Sequence, residues 1–178
     1  MNWTEVLKSE VEEKFAATEG LLELVDDSEL GWKPESGSNW MTLGQLVEHL
    51  TNACGMMFHG FATGDWGVPA EEMENMKPED MMPPAEKMPT AESLAEVRRK
   101  MAEDKQLALK TLDDAGEERL ATQETPAPWD PRPLPLGYRL LGMVEHLGNH
   151  RAQLFYYLKL MGKPVNTMHL YGMSVPAE

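Results

Sequence analysis

The sequence predicts an all-α protein, a four-helix bundle, from two observations: where its prolines fall and the period of its apolar residues. Of thirteen prolines, five lie between Pro69 and Pro89 and five between Pro126 and Pro135. Proline removes an interior helical hydrogen bond and clashes with the preceding turn, so these two windows read as connections. Residues 1–33, 35–68, 90–125 and 136–163 contain no proline, and each repeats its apolar residues at helical steps.

The first helix is predicted from Asn2, with Glu5 three residues on as its reciprocal capping partner. Leu7, Val11, Phe15, Leu22 and Val25 form its apolar face, and Asp26-Asp27-Ser28 ends it. The second is predicted from Thr42, again with a partner three residues on, Gln45, toward Gly64; its stripe is Leu46, His49, Ala53, Met56 and Met57. The third begins at Thr90, carries Leu94, Val97, Met101, Leu109 and Leu112, and stops before Asp113-Asp114-Ala115-Gly116. The fourth runs from near Gly137 to Gly162, a terminating glycine with Pro164 beyond it. Helices of this length span roughly 30–35 Å.

Two long connections remain, about residues 65–89 and 113–136. The first has the length needed to cross a bundle between parallel helices. Its Met73, Met76, Met81, Met82 and Met88 are read as adaptable apolar packing over a bundle flank rather than as a thioether site for soft metal. The second, rich in proline and containing Trp129, is expected to drape over one bundle end as a lid.

A chain of 178 residues fits a single domain over 1–178. Its 16 basic and 30 acidic residues give a formal charge of −14, which excludes gripping a phosphate backbone or docking on an anionic membrane. Seven acids and two lysines fall in residues 65–89, so part of the excess sits on the crossover. No apolar run is long enough to span a bilayer, and Met1-Asn2-Trp3-Thr4-Glu5 has no signal-peptide character. The single cysteine, Cys54, cannot form an internal disulfide, which fits a reducing, cytoplasmic setting.

Chemistry concentrates in the five histidines. His146 and His150 are four residues apart, so a helix puts both imidazoles on one face, the spacing that chelates a divalent metal. Alone, that pair fits a chance surface pair as well. His49, however, lies on the inner stripe of helix 2, where an imidazole needs hydrogen-bond partners or a metal to offset its desolvation. His146, His150, Gln153 and Tyr157 likewise form one stripe of helix 4. Two helices therefore direct three imidazoles inward, enough for a metal with an open position. Val47-Glu48-His49-Leu50-Thr51-Asn52 matches Val144-Glu145-His146-Leu147-Gly148-Asn149 at five of six positions, as expected of a relic of pseudo-two-fold symmetry. Glu48 and Glu145 point about 100° away from their histidines and are poor ligands. Leu147 follows His146, so the general-base glutamate of the zincins is missing. His59 lies off the stripe and is read as a non-ligand; His169 has no helical frame; Cys54 has no evident activating base. With flush antiparallel ends, His49 and the His146/His150 pair would differ in height by roughly 7–8 Å, a mismatch that a stagger or a shifted helix boundary absorbs.

The segments Trp40-Met-Thr-Leu-Gly-Gln-Leu-Val-Glu-His49-Leu and His146-Leu-Gly-Asn-His150-Arg-Ala-Gln153-Leu resemble the DinB/YfiT-like metalloenzyme superfamily. The tail Leu160-Met-Gly162-Lys-Pro-Val-Asn and the lead-in Trp32-Lys-Pro34 are also similar. The resemblance implies an up-down-down-up bundle with a long crossover between helices 2 and 3, in agreement with the proline pattern. It implies a divalent metal on His49, His146 and His150, and a homodimer. Superfamily members include thiol-dependent S-transferases and isomerases, so it also implies a low-molecular-weight thiol cosubstrate and a small-molecule electrophile. Imidazole ligation suits Zn, Ni, Fe and Cu, with Zn or Ni foremost here and Fe or Mn as further options. Arg151 or Tyr157 is a candidate to orient an anionic group. The alternatives are hydrolysis by metal-activated water and a non-catalytic, metal-stabilised dimer.

Overall fold

The computed structural model describes residues 2–76 and 83–173; Met81 and Met82 lie outside them. The chain is mostly helical, with α1 (Trp3–Leu22), α2 (Leu43–Leu50), α3 (Gly55–Thr63), α4 (Ala70–Asn75), α5 (Leu94–Thr122), α6 (Leu136–Leu160) and α7 (Thr167–Leu170). One antiparallel hairpin, β1 (Glu124–Ala127) with β2 (Asp130–Pro135), departs from the all-α expectation.

Capping sets the helix starts as the sequence suggests. The Asn2 side chain accepts from the Glu5 N–H (3.0 Å), and Glu5 accepts in return from the Asn2 N–H (3.2 Å). Thr42 and Gln45 make the same reciprocal pair at the head of α2. Helix α1 ends at Leu22, although Val25 beyond it stays buried.

Contacts along the chain give the mutual directions of the helices. Thr4 meets Glu117, Lys8 meets Asp113, Glu12 meets Lys105 and Glu19 meets Arg98, so α1 and α5 run antiparallel. Trp3 lies against Gly137, and Lys14 against Gly148, so α1 and α6 run parallel. Met41 meets Tyr157 and Ala53 meets His146, so the α2–α3 segment opposes α6. Between these faces Leu7, Val11, Leu46, Leu50, Val97, Leu112, Leu147 and Leu154 are buried in one apolar core. Among the described residues no helix is long and apolar enough to cross a membrane.

Helix 2 of the sequence reading is two helices. The chain turns over residues 51–54, and the N–H groups of Cys54, Gly55 and Met56 donate to the Asp104 carboxylate at 3.3, 2.8 and 2.8 Å. These are donors that the start of a helix leaves unpaired, and α5 satisfies them from across the core. At Gly55 a Cβ would lie 1.9 Å from the Asp104 carbonyl oxygen, so the close approach of α3 to α5 requires glycine.

Helix 3 of the sequence reading does not stop before Asp113. It continues as α5 to Thr122, with a kink at Gly116, whose φ of 67° belongs to the left-handed region. Ala115 and Leu120 are buried, so the apolar face carries on past the polar pair Asp113-Asp114. The connection predicted over 113–136 thus shortens to the hairpin. Arg139 ties that hairpin to α6, donating to the Asp130 carboxylate and to the carbonyls of Thr125, Asp130 and Arg132.

Candidate metal centre

His49 stands in the last turn of α2, and His146 and His150 stand one turn apart in the middle of α6. Their Nε2 atoms converge: 3.2 Å from His49 to His146, 3.1 Å from His49 to His150 and 3.0 Å between His146 and His150. The histidines come level, and Tyr157, near the end of α6, reaches the Met41 carbonyl ahead of α2.

Hydrogen-bond direction fixes two of the tautomers. A carbonyl only accepts, so His146 Nδ1, 3.3 Å from the Ala53 oxygen, carries the ring proton. For His150 the constraint comes through a chain. Tyr157 O–H donates to the Met41 carbonyl at 3.0 Å, so its oxygen accepts from the Gln153 amide nitrogen at 3.1 Å. That turns Gln153 Oε1 toward His150 Nδ1, 3.1 Å away, and makes Nδ1 the donor. His146 and His150 therefore aim bare Nε2 lone pairs at each other, with His49 Nε2 beside both. At most one ring proton, on His49, is available to separate three nitrogens.

Such a cluster fits a cation better than it fits itself. Metal–nitrogen distances of about 2.0–2.1 Å in a tetrahedral sphere place ligand nitrogens about 3.3 Å apart, close to what is observed. The three histidines form a group that can hold a metal ion, with no fourth His, Cys, Asp or Glu in that group among the described residues. Metal ligation needs neutral imidazoles, and burial supplies them. Burial, then the charges of His150 and His146, push His49 down to about 4. Burial likewise lowers His146, against the pull of the Ala53 carbonyl, and His150, against that of Gln153.

His49 and His146 also face a cavity of about 480 Å³. Met41, Met57, Met88 and Met143 line it together with Trp129 and Pro83. Trp129 sits at the hairpin turn and meets Phe61 and Trp66 edge-on, with ring centres 5.9 and 5.8 Å away. The 124–135 segment thus adds a wall to the cavity through Trp129, and it is a strand pair rather than a loose drape.

The other candidates fall elsewhere. Arg151 is buried without lining this cavity, and its Nε has no hydrogen-bond partner among the described residues. Tyr157 O–H is committed to Gln153 and Met41. Glu48 pairs with Lys100 at 2.8 Å, Glu145 is exposed, and His59 faces Asp65 at 3.7 Å. His169 is held within its own short helix by Asn166. Cys54 is fully buried, and burial together with the Asp104 charge raises its thiol pKa well above the ordinary range. The residues that sequence reasoning missed are Met41, Met143 and Asp104. Met143 lies three residues before His146, on the same helix face, and that spacing was the available signal.

A family model described as the DinB superfamily matches residues 10–154, which include all three histidines and Gln153. The chain belongs to the DinB superfamily. The motifs around His49 and His146 that carried the resemblance both lie inside the matched span of this DinB superfamily chain. No curated protein matches it significantly.

Proposed function

We propose that this DinB superfamily chain is a metal-dependent enzyme in which His49, His146 and His150 hold a divalent cation, Zn or Ni first, and a low-molecular-weight thiol attacks a small electrophile. The observation that carries the reading is the convergence of three Nε2 atoms at 3.0–3.2 Å with two Nδ1 protons anchored elsewhere. When bound, a divalent cation on three neutral imidazoles keeps its excess charge and lowers the pKa of a thiol or a water to near neutrality. The protein's own residues do the rest. Gln153 and Ala53 hold the imidazole protons away from the reacting side, while Trp129 and the methionines keep bulk water from the electrophile. A ligand set of three beside a cavity supports turnover over a closed structural site.

The proposal includes the architecture: one domain, with α1, α2–α3, α5 and α6 as an up-down-down-up four-helix bundle. The helix directions described above support it. A homodimer and a cytoplasmic setting complete the reading, and the dimer is checked by light scattering.

Hydrolysis is the second reading. It is favoured by the absence, among the described residues, of charged side chains from the cavity lining, which leaves a hydrophilic thiol few partners. The test is elemental analysis of native protein, followed by conjugation of a chromogenic electrophile with several cellular thiols, and by ester hydrolysis without thiol. Thiol-dependent conjugation that is lost on chelation, with helical circular dichroism retained, supports the leading reading. Hydrolysis alone moves the assignment to the second, and neither activity in metal-replete protein overturns both.

A further inference from the structure

We propose that the cavity beside His49 and His146 selects an uncharged, apolar, ring-sized small molecule, whose one polar atom faces the histidines. As a statement about substrate, this rests on the metal-enzyme reading; as a statement about binding, it stands alone.

Four methionines reach the cavity from four parts of the chain: Met41 before α2, Met57 in α3, Met88 in the crossover and Met143 in α6. Unbranched thioethers adapt to the shape of a guest and make favourable contacts with aromatic edges and faces. Trp129 adds an aromatic wall. The volume of about 480 Å³ lies within the range of pockets that enclose small organic ligands.

Charge decides the class. Among the described residues no Lys, Arg, Asp or Glu lines the cavity. The charged sequence neighbours of two lining residues are paired: Glu48, next to His49, with Lys100, and Asp130, next to Trp129, with Arg132 and Arg139. An ionised ligand body would lose its hydration and find no counter-charge against the methionines. The exterior acts in the same direction, since a net charge of −14 disfavours the approach of anions. Among the described residues the side-chain polarity of the lining is the two imidazoles and the Trp129 indole N–H, which only donates. A guest with an apolar body and one polar atom is therefore oriented as it enters.

Calorimetric titration with 2-naphthol and with 2-naphthalenesulfonate separates body from charge, because the two share a ring system. Metal-stripped protein is used so that coordination contributes nothing, and metal uptake by the same preparation is measured separately. The expected result is one naphthol site, with the sulfonate weaker by at least about tenfold. Met143→Glu weakens naphthol by at least about tenfold, while Met143→Leu stays within about threefold of wild type. Circular dichroism of each variant separates lost binding from lost fold, and Met57→Glu serves in its place if Met143→Glu does not fold. Sulfonate binding as tight as naphthol, or no naphthol binding by folded wild type, overturns the proposal. Metal uptake without naphthol binding refutes this inference alone, and naphthol binding without metal uptake refutes the metal reading alone.

Discussion

His146 Nδ1 lies 3.3 Å from the carbonyl oxygen of Ala53, the residue just before the N-cap of α3. In an unbroken helix that carbonyl would accept from the N–H of Met57. The interruption between α2 and α3 leaves it available, so the same local break that redirects the chain also sets the tautomer of a histidine of the cluster. Asp104 holds the break in place from α5 by accepting three N–H groups. The site is thereby coupled to a helix that contributes none of the three histidines.

His49→Ala, His146→Ala and His150→Ala are each expected to abolish stoichiometric metal binding, whereas His59→Ala retains it. His59 faces Asp65, outside the cluster. Elemental analysis of the purified variants decides the matter; undiminished metal in any of the first three removes that residue from the site.

Gln153→Leu takes away the acceptor that orients His150, without touching a ligand atom. Loss of such a support typically lowers metal affinity about 10- to 100-fold. Gln153→Glu keeps an acceptor and should restore most of it. Competition against a chromogenic chelator measures both, and wild-type affinity in Gln153→Leu would show that the Oε1 contact does not matter.

Burial pushes the Asp104 carboxyl up to about 6, against three backbone N–H bonds that pull it down. The folded protein thus holds this proton more tightly than the unfolded chain, whose value is 3.8. The resulting contribution to stability is complete below the unfolded value and is lost as the pH rises through about 6. The stability of wild type relative to Asp104→Asn should therefore fall by on the order of 3 kcal/mol between about pH 4 and pH 7.5. Urea titrations of both proteins across that range test the sign, and a difference that grows with pH would reverse it.

Glycines at two helix positions should respond oppositely to alanine. At Gly55 a Cβ would meet the Asp104 carbonyl oxygen at 1.9 Å, while at Gly20 nothing lies within 4 Å. Alanine gains up to about 1 kcal/mol of helix propensity at either place. At Gly55 overpacking of about 1–3 kcal/mol or more outweighs it, so Gly55→Ala destabilises. Gly20→Ala stabilises by roughly 0.5–1 kcal/mol. Thermal melts of the pair supply the comparison.

What the sequence made legible was local. The Asn2–Glu5 and Thr42–Gln45 caps, the apolar faces and the inward aim of each histidine on its own helix all follow from spacings within one helix. What it hid was non-local. The stripe Leu46, His49, Ala53, Met56 runs without interruption across the α2–α3 break, because the partner of that break, Asp104, is about fifty residues away. Asp113-Asp114-Ala115-Gly116 reads as a stop, yet burial of Ala115 and Leu120 carries α5 past it with only a kink. The proline-rich 124–135 segment pairs as strands because Arg139 donates to carbonyls and a carboxylate that proline leaves free to accept.

The three histidines come from α2 and α6 alone, whereas Pro83 and Met88 of the crossover and Trp129 of the hairpin add walls of the cavity. On the proposed reading, cation preference and guest preference are thus written in different stretches of the chain. A lineage, or an engineer, can exchange residues 124–135 for a hairpin of another length and change what enters while leaving the coordinating atoms as they were. Diversity among proteins with this histidine arrangement should accordingly accumulate in the borders of the cavity and spare its floor.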